Sequence, residues 1–276
     1  MRGSLSGMDT RKRPKNGAAM ARTVSKTITV SPPNLARTGF LVLEQEMLGT
    51  SAPSSRDWLL HRFEEGHQIR ILRPPGRGFI EFAPGRASWR ALNGAEQCVV
   101  VQCLHADGAH SVADLLQAAE DWARYYDFAA VMIVVGSHSC LPSPEAVIAA
   151  GYSVVGETEG GISLYGKFLQ GPVPLPTLPQ NWRARWAALG PGLVVQCAAR
   201  SPERLDFARD LVARGEKLGL PARVDLIETA EAARKSLATA VSPFSVVLNG
   251  ECIDDGQLSD FQIWQAVRQR AAATSR

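Results

Sequence analysis

Gln97-Cys-Val-Val-Val-Gln-Cys-Leu104, His105-Ala-Asp-Gly-Ala-His-Ser111 and Phe128-Ala-Ala-Val-Met-Ile-Val-Val135 stand at the centre of the chain. The first and last stretches read as buried strands, because β-branched side chains are stiff and favour extended backbone. Between them, apolar residues at 112, 115, 116, 119, 122 and 123 recur at i, i+3 and i+4, which predicts an amphipathic helix over residues 112–126. A strand–helix–strand unit of this length returns the second strand parallel to the first through a right-handed crossover.

Working outward, residues 27–30 alternate as a short strand, and Ser31-Pro-Pro-Asn34 is expected to open a helix running to Met47. A second helix has Ser54 or Ser55 as its cap, Trp58, Leu59 and Phe63 on one face and Gly66 as its stop. Residues 67–72 and 78–82 alternate and are joined by Arg73-Pro-Pro-Gly-Arg77, which predicts an antiparallel hairpin. After the central unit come a short helix around 144–150 and strands at 153–157 and 162–168.

Gly171-Pro-Val-Pro-Leu-Pro-Thr-Leu-Pro179 then carries four prolines in nine residues, each lacking an amide donor and fixing φ near −65°. It predicts a semi-rigid linker. Downstream, strands at 193–197, 224–227, 244–248 and 251–253 alternate with helices at 202–218, 229–239 and 257–270. Ser201 and Pro202 open the first of these helices, and Asn249-Gly250 predicts the hairpin turn. This β-α-β-α-β-β-α order is that of a thioredoxin-like domain, in which Ser242-Pro243 stands where a cis-proline is expected. The expected organisation is a disordered basic leader (1–27), a first domain (28–169), the proline-rich linker (170–180) and a second domain (181–276).

The formal charge of +3 is unevenly placed. Residues 1–27 hold seven basic side chains against Asp9, a net +6, so the remainder is mildly acidic at −3. That leader also lacks the apolar core of a secretory signal. The longest uncharged apolar run, residues 128–136, is too short to span a bilayer, so no membrane partner is expected. Five cysteines (98, 103, 140, 197 and 252) without a CxxC suit reduced thiols and a cytoplasmic protein. Cys103, His105 and His110 lack a carboxylate at ligand spacing, so no metal site is expected, and no specific nucleic-acid partner either.

Ile28-Thr-Val-Ser-Pro-Pro-Asn-Leu35, Trp58-Leu-Leu-His-Arg-Phe-Glu-Glu-Gly66, Gly78-Phe-Ile-Glu-Phe82, Val100-Val-Gln-Cys103 and Ala150-Gly-Tyr152 occur in an order that resembles the YoaP-like acetyltransferases. These join a GNAT acetyltransferase domain to a small thioredoxin-like domain. The resemblance implies an α/β fold, a GNAT-like mixed sheet with flanking helices followed by a thioredoxin-like domain. It also implies N-acetyl transfer from acetyl-CoA to a small-molecule or peptide amine acceptor.

In that family the central strand ends in a glycine-rich loop whose bare amides meet a pyrophosphate at a helix N-terminus. The matching positions here are Leu104, Asp107, Gly108, Ala109, His110 and Ser111, with Ser111 as the expected helix cap; the loop has one glycine where the family has two or three. For the chemistry, the resemblance points to Glu81 as the base and Tyr152 as the acid. A solvated strand residue is the other reading of Glu81, and a core aromatic that of Tyr152. In the second domain, Cys197 stands where thioredoxin-like enzymes keep a reactive thiol, with Arg200 in place of the resolving cysteine and Pro243 nearby. A monothiol redox protein and a non-catalytic binding module are therefore the alternatives to the acetyltransferase. Oligomeric state is not read from the sequence.

Overall fold

The computed structural model describes residues 25–48, 54–136, 141–158, 161–171 and 173–274. All but the last three residues of the expected leader lie outside them.

A mixed sheet of seven strands organises the first half of the chain. Its strands are β1 (Thr27–Val30), β2 (Gln68–Leu72), β3 (Gly78–Pro84), β4 (Cys98–Ala106), β5 (Ala130–Val135), β6 (Ser153–Glu157) and β7 (Ser163–Phe168), in the order β1-β2-β3-β4-β5-β7-β6. β4 and β5 pair in parallel, as the central crossover requires, and the remaining neighbours are antiparallel. Four helices flank it: α1 (Phe40–Leu48), α2 (Arg56–Glu64), α3 (Ala109–Tyr125) and α4 (Pro144–Ala149). Ile80, Phe82, Leu115, Leu116 and Ile133 form the core on the α3 face. Phe40, Leu59, Ile69, Phe79 and Cys103 form the core on the α1–α2 face. Both faces of β3 are thus covered, and every one of its residues is buried.

The second sheet has four strands, β8 (Leu193–Ala198), β9 (Ala222–Ile227), β10 (Phe244–Leu248) and β11 (Glu251–Asp254), in the order β11-β10-β8-β9. Of its pairs, β8–β9 is parallel and the other two antiparallel. It carries α5 (Trp182–Ala188), α6 (Pro202–Lys217), α7 (Ala230–Ser236) and α8 (Asp260–Thr274). Asn249 and Gly250 both adopt positive φ, 50° and 78°, which closes the β10–β11 hairpin as their residue types demand.

Local expectations shift in three places. α1 begins at Phe40 rather than after Ser31, because residues 32–39 form turns. There the Asn34 carboxamide oxygen accepts the Ser31 amide (2.7 Å). α3 begins at Ala109 with Gly108 as its N-cap residue, one turn earlier than a Ser111 cap would place it. Ser242-Pro243 is trans: among the described residues the cis peptide bond is Pro74–Pro75. The trans form keeps Pro243 in line with β10, and its carbonyl accepts the Ala198 amide at 3.0 Å.

The stretch between β3 and β4, opened by a 3-10 turn at Gly85–Ala87, wedges the two sheets together. Leu92 and Ala95 pack with Val100, Met132, Ala240 and Val241, while Trp89 and Ala91 pack with Ala198, Ile227 and Leu237. The proline-rich segment is pinned to this wedge, since Asn93 and Thr177 exchange backbone hydrogen bonds at 3.0 Å. Gly85 lies so close to Ala95 that a Cβ would overlap the Ala95 carbonyl oxygen. Gly85→Ala is therefore expected to cost about 3 kcal/mol, read as a lower urea midpoint. Among the described residues, no helix is long and apolar enough to cross a membrane.

Candidate active site between the two sheets

The wedge leaves a cavity of about 120 Å³ where the α1–α2 face of the first sheet meets the β8–α6 loop of the second. Its walls include Glu44, Trp58, Trp89, Gln102, Arg200 and Ser242. At roughly 10–15 Å³ per water, it has room for a small molecule.

Part of that wall is an ion cluster built from both halves of the chain, with Glu81 behind it. Glu44 comes from α1, one helical turn after Phe40, so both face the core. Glu81 comes from β3 on the same side as Phe79, and His67 immediately precedes β2. The Arg200 guanidinium reaches across from the β8–α6 loop and donates to Glu44 Oε1 (2.6 Å) and Glu81 Oε1 (2.5 Å). Glu81 Oε2 lies 3.1 Å from His67 Nε2. Ser54 completes Glu44, its amide donating to Oε2 (2.9 Å) and its hydroxyl to Oε1 (2.8 Å). The Ser55 amide in turn donates to the Arg200 carbonyl (2.7 Å), tying the loop to the first sheet through backbone as well. The Trp58 ring stands under the Arg200 guanidinium at 5.4 Å and edge-on to His67.

This environment drives the two carboxyls apart. Burial would raise Glu81, but the Arg200 charge and the His67 hydrogen bond outweigh it and hold the carboxyl down at about 2. Glu44 moves the other way: burial raises it, the nearby Glu81 adds to that, and Arg200 offsets them in part. Burial also opposes the charge on Arg200, but the two carboxylates overcome it and raise its pKa well above the usual guanidinium value.

The sequence-predicted residues fall into separate places. Glu81 is fully buried in an ion pair, which corrects the reading of a solvated strand residue. Tyr152 belongs to the α3-face core with Ile80 and Phe82, on the opposite side of the sheet from Glu81. It is a core aromatic, and the two do not share a site. The Leu104 side chain also packs into the α3-face core.

Cys197 and Pro243 do line the cavity, but Arg200 is engaged by the carboxylates rather than serving the thiol. Burial pushes the Cys197 thiol up to about 11, with Arg204 and Arg209 only partly opposing it, so no thiolate advantage exists at neutral pH. Cys197 is expected to resist iodoacetamide in the folded protein at pH 7.5 and to react once urea unfolds it. Labelling in the folded state at the rate of a free thiol would contradict this assignment.

Sequence reasoning missed Glu44, His67 and the crossing of Arg200. The signal for Glu44 was its place four residues after Phe40 among Leu41, Leu43 and Met47, a carboxylate on an apolar stripe. His67 begins the inward series that continues with Ile69 and Ile71.

Asp107, Gly108, Ala109 and His110 are exposed at the amino end of α3, with Ser111 half-buried behind them. Gly108 has φ of +81° with nothing within 4 Å of where a Cβ would stand, and no side chain caps the helix. Open amides at the end of a 17-residue helix fit a phosphate-bearing cofactor; the Asp107 carboxylate is the contrary charge. β4 pairs with β5 only from Cys98↔Ala130 to Val101↔Ile133, and from Gln102 onward the two strands part. Gln102 and Cys103, the first residues beyond that point, line the cavity.

No protein-family model matches the chain, and no curated protein is significantly similar to it. Solved structures with some likeness are acetyltransferases. One is a ribosomal-protein-alanine N-acetyltransferase from Brucella melitensis, at 14% identity and TM-score 0.39, covering 52% of this chain and 99% of that one. A GNAT-superfamily phosphinothricin acetyltransferase from Sinorhizobium meliloti, solved with AcCoA, has 15% identity and TM-score 0.40 over 56% and 94%. An N-acetyltransferase from Staphylococcus aureus Mu50 has 15% identity and TM-score 0.39 over 53% and 100%.

Proposed function

We propose that the chain is an acetyl-CoA-dependent N-acyltransferase of the GNAT type, in which a thioredoxin-like second domain closes the acceptor side of the reaction chamber. The observation that carries this reading is the parting of β4 from β5 after Val101, directly beside a cavity with Glu44 in its wall. Acetyl-CoA, when bound, supplies the acetyl group as an activated thioester. The amides at Gly108, Ala109, His110 and Ser111 hold its diphosphate, and the acetyl end lies where β4 leaves β5 after Val101.

Glu44 is the proton acceptor for the acceptor amine. It lines the cavity, and its raised pKa brings it nearer the working pH than an ordinary carboxyl. Glu81, away from the cavity lining and with its carboxyl held at about 2, is a poor base and instead orients His67 and Arg200. Calorimetric titration of the full chain with acetyl-CoA is expected to give saturable binding. Glu44→Gln should retain that binding while abolishing release of the free CoA thiol in the presence of small amines. Absence of heat at about 1 mM cofactor removes the reading.

A second reading, a non-catalytic binding module on the same scaffold, is favoured by one contact. The Arg90 guanidinium donates to the Gln102 carbonyl on β4 and to the Val241 carbonyl of the second domain, bracing the place where the strands part. Saturable amine binding without any turnover would select it.

A further inference from the structure

We propose that the cavity between the two sheets binds a small monocarboxylate with a short apolar tail, its carboxylate held by the Arg204 guanidinium and the Ser242 hydroxyl. The site goes beyond the acyltransferase reading and does not depend on it.

The charge of the wall sets the sign of the ligand. Among the described residues, three guanidiniums line the cavity, those of Arg90, Arg200 and Arg204, against one carboxylate, that of Glu44. Glu44 is already taken by Arg200 and Ser54, and Arg90 donates to the carbonyls of Gln102 and Val241. Arg204 differs. It gives Nη1 to Asp260 (2.7 Å), a carboxylate 58% exposed, and its Nε and Nη2 groups meet no hydrogen-bond acceptor among the described residues. Those remaining N–H groups suit a second carboxylate.

Independently, Ser242 is 6% exposed, lines the cavity and uses its oxygen to accept the Phe244 amide (3.1 Å). Its hydroxyl proton has no acceptor among the described residues. A buried donor without an acceptor is unfavourable until a ligand oxygen takes it. Phe244 touches both groups, Ser242 through its amide and Arg204 through its ring, 4.5 Å from the guanidinium, so both stand at one end of the cavity. Ser201, the cap residue of α6, also lines the wall, and the positive end of that helix favours an anion further. Leu48, Trp58 and Val241 give the tail an apolar surface.

The test uses the full chain without cofactor and three probes: butyrate, its neutral analogue butyramide, and inorganic phosphate. Calorimetry is expected to show saturable butyrate binding in the millimolar range, phosphate weaker by about tenfold or more, and no heat from butyramide. Arg204→Gln should weaken butyrate by about tenfold or more, the scale for losing one charge-assisted contact, and Ser242→Ala by about fivefold, the scale for one neutral hydrogen bond. Asp260→Asn alters an exposed side chain and should tighten butyrate, because it relieves Arg204 of a competing carboxylate; it decides the matter should Arg204→Gln fail to fold. Butyramide or phosphate binding as tightly as butyrate, no butyrate heat at about 50 mM, or unchanged affinity in folded Arg204→Gln or in Asp260→Asn overturns the inference. Acetyl-CoA binding without butyrate binding overturns it while sparing the acyltransferase reading. Butyrate binding without acetyl-CoA binding upholds the carboxylate site and removes acyl transfer.

Discussion

Arg200→Ala is expected to lower the unfolding free energy by about 3–5 kcal/mol, the scale for removing one partner of a buried ion pair. The cost comes less from the lost bonds than from what stays behind. Glu44 and Glu81 are 1% and 0% exposed, and without the guanidinium they are two carboxyls in apolar surroundings with Ser54 and His67 as remaining partners. Because Arg200 belongs to the second sheet and both carboxyls to the first, the change also removes a fastening between the halves. Arg200→Lys should recover only part of the loss, since a compact ammonium lacks the planar, always-charged group that meets both oxygens here. Urea unfolding followed by circular dichroism measures the difference. A loss below about 1 kcal/mol, typical of an exposed pair, would mean the cluster is not the junction described.

The second large effect is in the pH dependence, where the two glutamates act with opposite sign. Glu81 titrates at about 2 in the folded protein against an ordinary value of 4.5. Its contribution is therefore fully present above the unfolded value and is lost as pH falls from about 4.5 to about 2. At about 1.4 kcal/mol per unit this is on the order of 3 kcal/mol. Glu44 has a raised pKa, so the folded state keeps a proton that the unfolded state gives up. Its effect is to reduce stability as pH rises from 4.5 through the folded value. Glu81→Gln should flatten the acid limb of the stability curve, and Glu44→Gln should remove the decline on its high-pH side. Urea midpoints at steps between about pH 2 and pH 8 resolve the two limbs. An unchanged acid limb in Glu81→Gln would show that another group carries it.

Strand placement was legible in the sequence wherever one force dominated. The valine-rich runs of β4 and β5, the i, i+3, i+4 stripe of α3 and the Asn249-Gly250 turn each have one low-energy answer. Errors arose where local signals competed. Ser111 is a good cap by residue type, yet Gly108 at φ +81° turns the chain a full helical turn earlier. The candidate site was half visible. Alternation in β3 put Glu81 on a strand, but only the coverage of both faces of that strand explains why it is buried rather than solvated. One partner of Glu81, Arg200, lies 119 residues away in the β8–α6 loop, beyond the reach of any periodicity or spacing rule. Arg200 stands three residues after Cys197, and the packing of the halves sends its side chain to the carboxylates instead.

In the proposed acyltransferase the acyl donor lies across the open end of α3 and the gap between β4 and β5. Hydrogen–deuterium exchange of the full chain with and without acetyl-CoA addresses it most directly. Protection of the amides at 108–111 by about tenfold, together with those of 102–104, is the expected result. Exchange at those amides unchanged by saturating acetyl-CoA would contradict it.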